Sequence, residues 1–247
     1  MKRRLKLPRS FSLEESMSNL TVVESILRDR RYFFAEIRDG IEISQKINAM
    51  FVSCITFFAL YGAVLGSTST LWQTLSSTVK LPILFLATLI ICAPTLYFFN
   101  ILFGSNQSLN QNIALMMTAI TVTSVLLLSF APISLFFLLT TDDSQYQFFK
   151  LLNVVIFSIA GTVGTMFLAQ GMRIVSGTDD AGARQRRLVM RIWMVVYGFV
   201  GSQLAWTIRP FIGAPGEDFE LFRQLGGNFY ADIWSSIGEI LGFLIVS

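Results

Sequence analysis

Histidine is absent from the whole of this 247-residue chain. A Ser-His-Asp triad, a Cys-His pair, a His-ligated haem and a HExxH zinc site are therefore excluded. Cysteine is almost as scarce. Cys54 and Cys92 both lie inside apolar runs, and a disulfide framework or zinc cluster needs more thiols at other spacings. Both are expected to be small buried hydrophobes. Charged residues make up only 14% of the chain, against roughly 25% in a typical soluble domain. No Asp or Glu falls inside any long apolar stretch, which counts against a carboxylate proton relay or a carboxylate-lined cation path. The start, Met1-Lys2-Arg3-Arg4, is basic but is followed by Ser10, Glu14, Glu15 and Ser18. With no apolar core behind it, no secretory signal is expected. These absences leave no catalytic constellation, so the chain is expected to be no enzyme, with no cofactor and no metal.

What the chain has is hydrophobicity: 53% of residues, including 23 Phe, which places it in the membrane class. A helix needs about 20 mainly apolar residues to cross a hydrocarbon core of about 30 Å. Five stretches qualify, at about 47–66, 81–103, 113–140, 148–175 and 188–208. The expected fold is all-α: a polytopic transmembrane helical bundle of about five spans. Residues 1–46 form a basic arm with an amphipathic helix, and 209–247 an outer loop and interfacial helix. The last segment, from Tyr230, is interrupted by Asp232 and Glu239. Its apolar residues Ile233, Trp234, Ile237, Ile240, Leu241 and Leu244 recur at helical spacing, which reads as a helix in the interface, not a sixth span.

Charge sets an expected orientation. Residues 1–46 hold about ten Lys and Arg, and the loop between spans four and five carries Arg173, Arg184, Arg186, Arg187 and Arg191. The other side holds Lys80, Asp142 and Asp143, then Arg209 and Arg223 against Glu217, Asp218, Glu220, Asp232 and Glu239. The positive-inside rule puts the N-terminus in the cytoplasm and the C-terminus outside. Trp72, Trp206 and Trp234 fall at the expected outer interface, Trp193 at the inner one.

In the arm, Leu20, Val23, Leu27, Phe34 and Ile37 approximate one helical stripe among Arg28, Arg30, Arg31 and Arg38, with Gly40 ending the helix. Two uses fit: an interfacial helix on anionic membrane lipids at the cytoplasmic face, or a docking surface for a protein partner. Met1 to Arg9 reads as a basic tail facing lipid, and no nucleic-acid partner is expected.

Within the spans, Pro94 and Pro132 each remove a backbone donor and bend a helix. They are static kinks, or two kinked neighbours lining a cavity or gate. Span four carries Gly161, Gly164 and Gly171. In span five, Gly198 with Ser202, and Gly201 with Ala205, are small-xxx-small pairs that admit close backbone approach, within the chain or at a homo-oligomer interface. Thr118, Thr121, Thr123, Ser124 and Ser129 either return their hydrogen bonds to the backbone or line a pore. Gln170, Gln203, Asn100 and Asn153 are candidates for interhelical hydrogen bonds. Arg209-Pro210 ends span five, with Arg209 placed to hold a lipid phosphate or pair with Glu217, Asp218 or Glu220, and the following loop is expected to fold back as an outer cap. Upstream of span two, Leu71, Trp72, Leu75 and Val79 suggest a short interfacial helix entering the bilayer at Pro82.

Lys80-Leu81-Pro82, Leu84-Phe85-Leu86, Cys92, Pro94, Leu96-Tyr97 and Asn100, with Gln203-Leu204-Ala205-Trp206 and Arg209-Pro210-Phe211-Ile212-Gly213, resemble a group of uncharacterised bacterial five-span integral membrane proteins. The resemblance runs across spans one to five and implies a bacterial cytoplasmic membrane without implying an activity. The plan is also similar to that of the Yip family of trafficking proteins, in its cytoplasmic arm and about five spans. No Yip motif accompanies that plan, so no trafficking role is carried over. Three functions follow in order: a non-enzymatic membrane scaffold or accessory subunit that self-associates or docks a partner; a channel or transporter for a small solute; and, last, a lipid-modifying enzyme.

Overall fold

In a computed structural model of the chain, the described residues are 13–67, 70–102, 107–140, 146–176, 183–212, 219–222 and 227–240, with side chains from residue 19 onward except at 183, 186 and 187. Among them every regular element is a helix: α1 (Leu13–Arg28), α2 (Arg30–Asp39), α3 (Ile43–Gly66), α4 (Leu71–Leu102), α5 (Leu109–Thr140), α6 (Tyr146–Val175), α7 (Ala183–Thr207) and α8 (Phe229–Ile240). Five of these, α3 to α7, are long and apolar enough to cross a bilayer, in the places the apolar stretches predict. The chain is an all-α integral membrane protein.

α5 is the centre of the bundle. It packs along α3 on one side and α6 on the other, α4 packs on α3, and α7 packs on α4. From Ala114 to Ser124 every α5 side chain is buried. Lipid tails are as apolar as leucine, so no hydrophobic effect pulls such helices together in a bilayer; close contact and hydrogen bonds do. The contacts are glycine-mediated. A Cβ on Gly62 would run into the carbonyl oxygen of Ser77, and one on Gly66 would lie 2.6 Å from Cα of Thr74. Thr74 Oγ1 donates to the Gly66 carbonyl across the same seam, at 3.1 Å. On the other side of the bundle a Cβ on Gly164 would lie 2.6 Å from the Ala119 carbonyl oxygen and collide with Thr123 Oγ1.

This seam corrects the reading of 71–80. Those residues are not a separate interfacial helix: α4 runs unbroken through both Pro82 and Pro94. Pro82 costs a backbone hydrogen bond, but the turns before it are clamped to the end of α3 at Gly62 and Gly66, and packing overrides the local preference.

The arm is also corrected in detail. It is two helices, not one: Asp29 caps α2 by accepting from the Tyr32 N–H, and Gly40 closes α2 in the left-handed conformation at φ 79°. The buried face is Val23, Ile26, Phe33, Phe34 and Ile37, while Leu20 and Leu27 are exposed. That face packs against the chain's own spans. α1 lies on α3, and α2 on the end of α6, where a Cβ on Gly171 would meet the Phe34 ring 2.6 Å away. At the opposite end of the bundle α8 lies on α6 and α7. Its Asp232 pairs with Lys150 at 2.9 Å, and Ser236 donates to Gln147 at 3.0 Å.

Gly62→Leu should destabilise the detergent-solubilised protein by about 1–3 kcal/mol, the usual range for overpacking. Gly161→Ala, whose new Cβ meets nothing within 4 Å, should leave the melting temperature unchanged or raised. Equal melting for the two variants would refute the glycine seam.

Candidate functional site

Polar side chains inside the bundle gather at three levels. Near the end that carries α8, one face of α4 presents Gln73, Ser77 and Lys80 at i, i+4 and i+7, all buried. They hold the segment after α7 by its main chain. Gln73 Nε2 donates to the Pro210 carbonyl at 3.2 Å, and Ser77 Oγ to the Phe211 carbonyl at 2.6 Å. Lys80 Nζ donates to the carbonyls of Pro210, at 3.2 Å, and of Leu221. Its ammonium also sits 4.9 Å from the Phe222 ring centroid. Among the described residues Lys80 makes no ion pair, and its charge is stabilised by carbonyl dipoles and an aromatic face.

At this level the structure brings together two of the residues singled out in sequence. Arg209 lies 3.4 Å over the Trp206 ring, and Pro210, joined to it by a cis peptide bond, supplies the carbonyl shared by Gln73 and Lys80. The described parts of 209–222 do fold back on the bundle as a cap. Glu217 and Asp218, named as partners for Arg209, lie outside the described residues, as does Gly213.

One level further in, Tyr61 of α3 ties three helices. Its hydroxyl donates to Asn153 Oδ1 of α6 at 2.9 Å and shares a hydrogen bond with Ser134 Oγ of α5 at 3.0 Å. At the arm end Lys46 of α3 pairs with Glu36 of α2 at 3.3 Å, and Gln111 of α5 donates to the carbonyls of Ile37 and Arg38. Asn100 donates to Asn112 at 3.4 Å, joining α4 to α5.

The other sequence candidates are scattered. Pro94 and Pro132 are both exposed on the outside of the bundle and do not line the cavity that lies between α4, α5, α6 and α7. That cavity, of about 10 Å³, is lined by apolar residues such as Leu89, Met116 and Leu168, with Thr123, Thr165 and Tyr197 among them. It is about the size of one water molecule. Gly198 meets nothing within 4 Å, and Gly201 is in ordinary contact with Thr88 at 3.5 Å. Ser202 hydrogen-bonds the Tyr230 hydroxyl of α8 at 3.1 Å. The Gln203 carbonyl accepts from Thr207 Oγ1 at 2.9 Å, and no hydrogen bond of the Gln203 side chain is found among the described residues. Of the α5 hydroxyls singled out in sequence, Thr118, Thr123, Ser124 and Ser129 turn back on their own helix, while Thr121 donates to the Met50 carbonyl of α3 at 3.5 Å. Trp193 is not an interfacial anchor: it is buried, and its Nε1 donates to the Cys92 carbonyl at 3.0 Å.

Sequence reasoning missed the Gln73, Ser77 and Lys80 face and the Tyr61 junction. The first was visible as an i, i+4, i+7 polar stripe once the helix was extended back past Pro82. Nothing local distinguishes Tyr61 from the other aromatics of an apolar run. Among the described residues no group of His, Cys, Asp and Glu could hold a metal ion. No protein-family model, curated protein or solved structure matches the chain.

Lys80→Met should loosen the cap, removing the donor to the Leu221 carbonyl and one of the two to that of Pro210, at a cost of about 1–3 kcal/mol. Hydrogen exchange across 209–222 should rise while exchange in α5 stays slow. Arg209→Ala, which strips the guanidinium from Trp206, should lower the melting temperature in detergent; unchanged melting would remove its structural role.

Proposed function

We propose that this chain is a non-enzymatic scaffold or accessory subunit that joins a second transmembrane component, its own copy or a different protein, along α7. It would reside in a bacterial cytoplasmic membrane with the arm in the cytoplasm and α8 outside. One observation carries the reading. α7 is the least enclosed of the five spans: 11% of its apolar window is buried, against 50% for α3. It leans on α4 and barely touches α6. Gly198 faces open space, one turn before Ser202 meets Tyr230 of α8. A span this little covered, with room at a glycine, is suited to another helix.

The orientation draws support from charge. Exposed Arg28, Arg30, Arg31, Arg38, Arg173, Arg184 and Arg191 belong to the arm end, and the pair of Lys150 with Asp232 lies at the other. A channel or carrier for a small solute has less support. The cavity beside α7 has room for about one water, and both prolines lie outside it.

The test is a cysteine at Gly198, where a side chain has room; the native Cys54 and Cys92 are buried and can stay. A thiol-reactive photocrosslinker applied to native membranes should link Gly198→Cys into a discrete larger species. Twice the chain mass would identify self-association, and another mass a distinct subunit. Ile90→Cys, exposed on α4, is the control. If Gly198→Cys links no better than the control, the reading is wrong.

A further inference from the structure

The α1–α2 turn is charged, yet it does not stand clear of the bundle. α2 runs alongside the end of α6 turn for turn: Arg30 lies 5.8 Å from the Phe167 ring centroid, and Phe34 packs at Gly171. Arg30 is therefore level with a point eight residues, or about 12 Å, inside the end of α6 at Val175. The far side of the bilayer is marked on the same helix by Lys150, paired with Asp232. Between Lys150 and Phe167 α6 carries no charge. Those 17 residues rise about 26 Å, close to one hydrocarbon thickness of about 30 Å. α3 gives a measure at the other end of α2, six residues or about 9 Å beyond Arg30. Its Lys46 pairs with Glu36 of α2, and the 20 residues from there to Gly66 are uncharged and rise about 30 Å. The two ends of α2 thus bracket the headgroup region, with the turn at its inner edge.

The charges on the turn are not equally committed. Arg28 pairs with Glu24 at 3.0 Å, and Arg38 with Asp39 at 2.8 Å. The hydrogen bond from Arg38 holds the Asp39 carboxyl below its ordinary range. Asp29 is occupied with the Tyr32 backbone. Arg30 and Arg31 are exposed and make no ion pair among the described residues. Leu27, at 50% exposure, and Tyr32, at 63%, flank them. Unpaired guanidinium groups between an exposed leucine and an exposed tyrosine, at headgroup depth, match an anionic phospholipid: phosphate for the arginines, upper acyl chain for the leucine.

We propose that Arg30 and Arg31 form a site for the phosphate of an anionic lipid headgroup, which fixes the arm at the membrane surface. The site is independent of α7 and of any partner there. The test uses the full-length protein in nanodiscs of phosphatidylcholine with or without phosphatidylglycerol. Phosphatidylglycerol should raise the melting temperature by several degrees. The double variant Arg30→Gln, Arg31→Gln should lose that increment while melting as the parent does in phosphatidylcholine alone. Arg28→Gln with Arg38→Gln, which removes the two paired arginines, should keep most of it. Millimolar inorganic phosphate should not reproduce the effect; if it does, the site takes free phosphate and the lipid is the wrong ligand. A nitroxide on Leu27→Cys supplies a second reading without disturbing the core. It should be quenched more by oxygen than by a water-soluble nickel chelate. Dominant quenching by nickel, with no phosphatidylglycerol increment, would place the turn in water and leave it to a soluble acidic partner, overturning the proposal.

Discussion

Helices in hydrocarbon gain nothing from hiding apolar surface from one another, so the bundle depends on how closely backbones can approach. Here the approach is set at two places by the absence of a side chain. Gly62 and Gly66 let the end of α3 lie on the main chain of α4. Gly164 lets α6 settle on Ala119 and Thr123 of α5. With these seams closed, α3 to α6 become one unit. The buried hydroxyl of Tyr61 can then reach both Ser134 and Asn153. Without that closeness each of these polar atoms would be stranded in an apolar medium.

Both ends of the unit are finished by segments outside the five long apolar helices, and by different chemistry. At one end the arm contributes a largely apolar face, and Gln111 and Lys46 fasten its edges. At the other the cap is gripped by its backbone. Three side chains of α4 bind carbonyls of 210, 211 and 221, so the hold depends on the path of the cap more than on its side chains. α7 connects to this second end and to α4, with little else around it.

The five spans were legible because an uncharged apolar run of bilayer length is rarely anything but a membrane helix. Their ends were less so. Residues 71–80 are rich in Ser, Thr and Gln and lead to a proline, so local rules stop the helix where tertiary contact extends it. The arm stripe was half right for a related reason. One periodicity run across Asp29 overlooks the cap that starts a second helix, and within α1 it selects Leu27, which is exposed, over its buried neighbour Ile26. Glycine was the least legible residue. Gly62 and Gly66 look like ordinary members of an apolar run, while the more conspicuous Gly198 and Gly201 make no close approach inside this chain. Pairwise seating, not composition, decides which glycine is used. Lys80 was seen only as a loop charge, because its partners are backbone atoms more than 100 residues away.

The seating of the arm has a consequence for how the chain is made. Phe34 rests on Gly171, and Gln111 reaches back to Ile37 and Arg38. A ribosome builds α1 and α2 first, yet their resting place does not exist until α5 and α6 have been threaded into the bilayer. The apolar face of α1 and α2 therefore waits for helices that follow it in the chain.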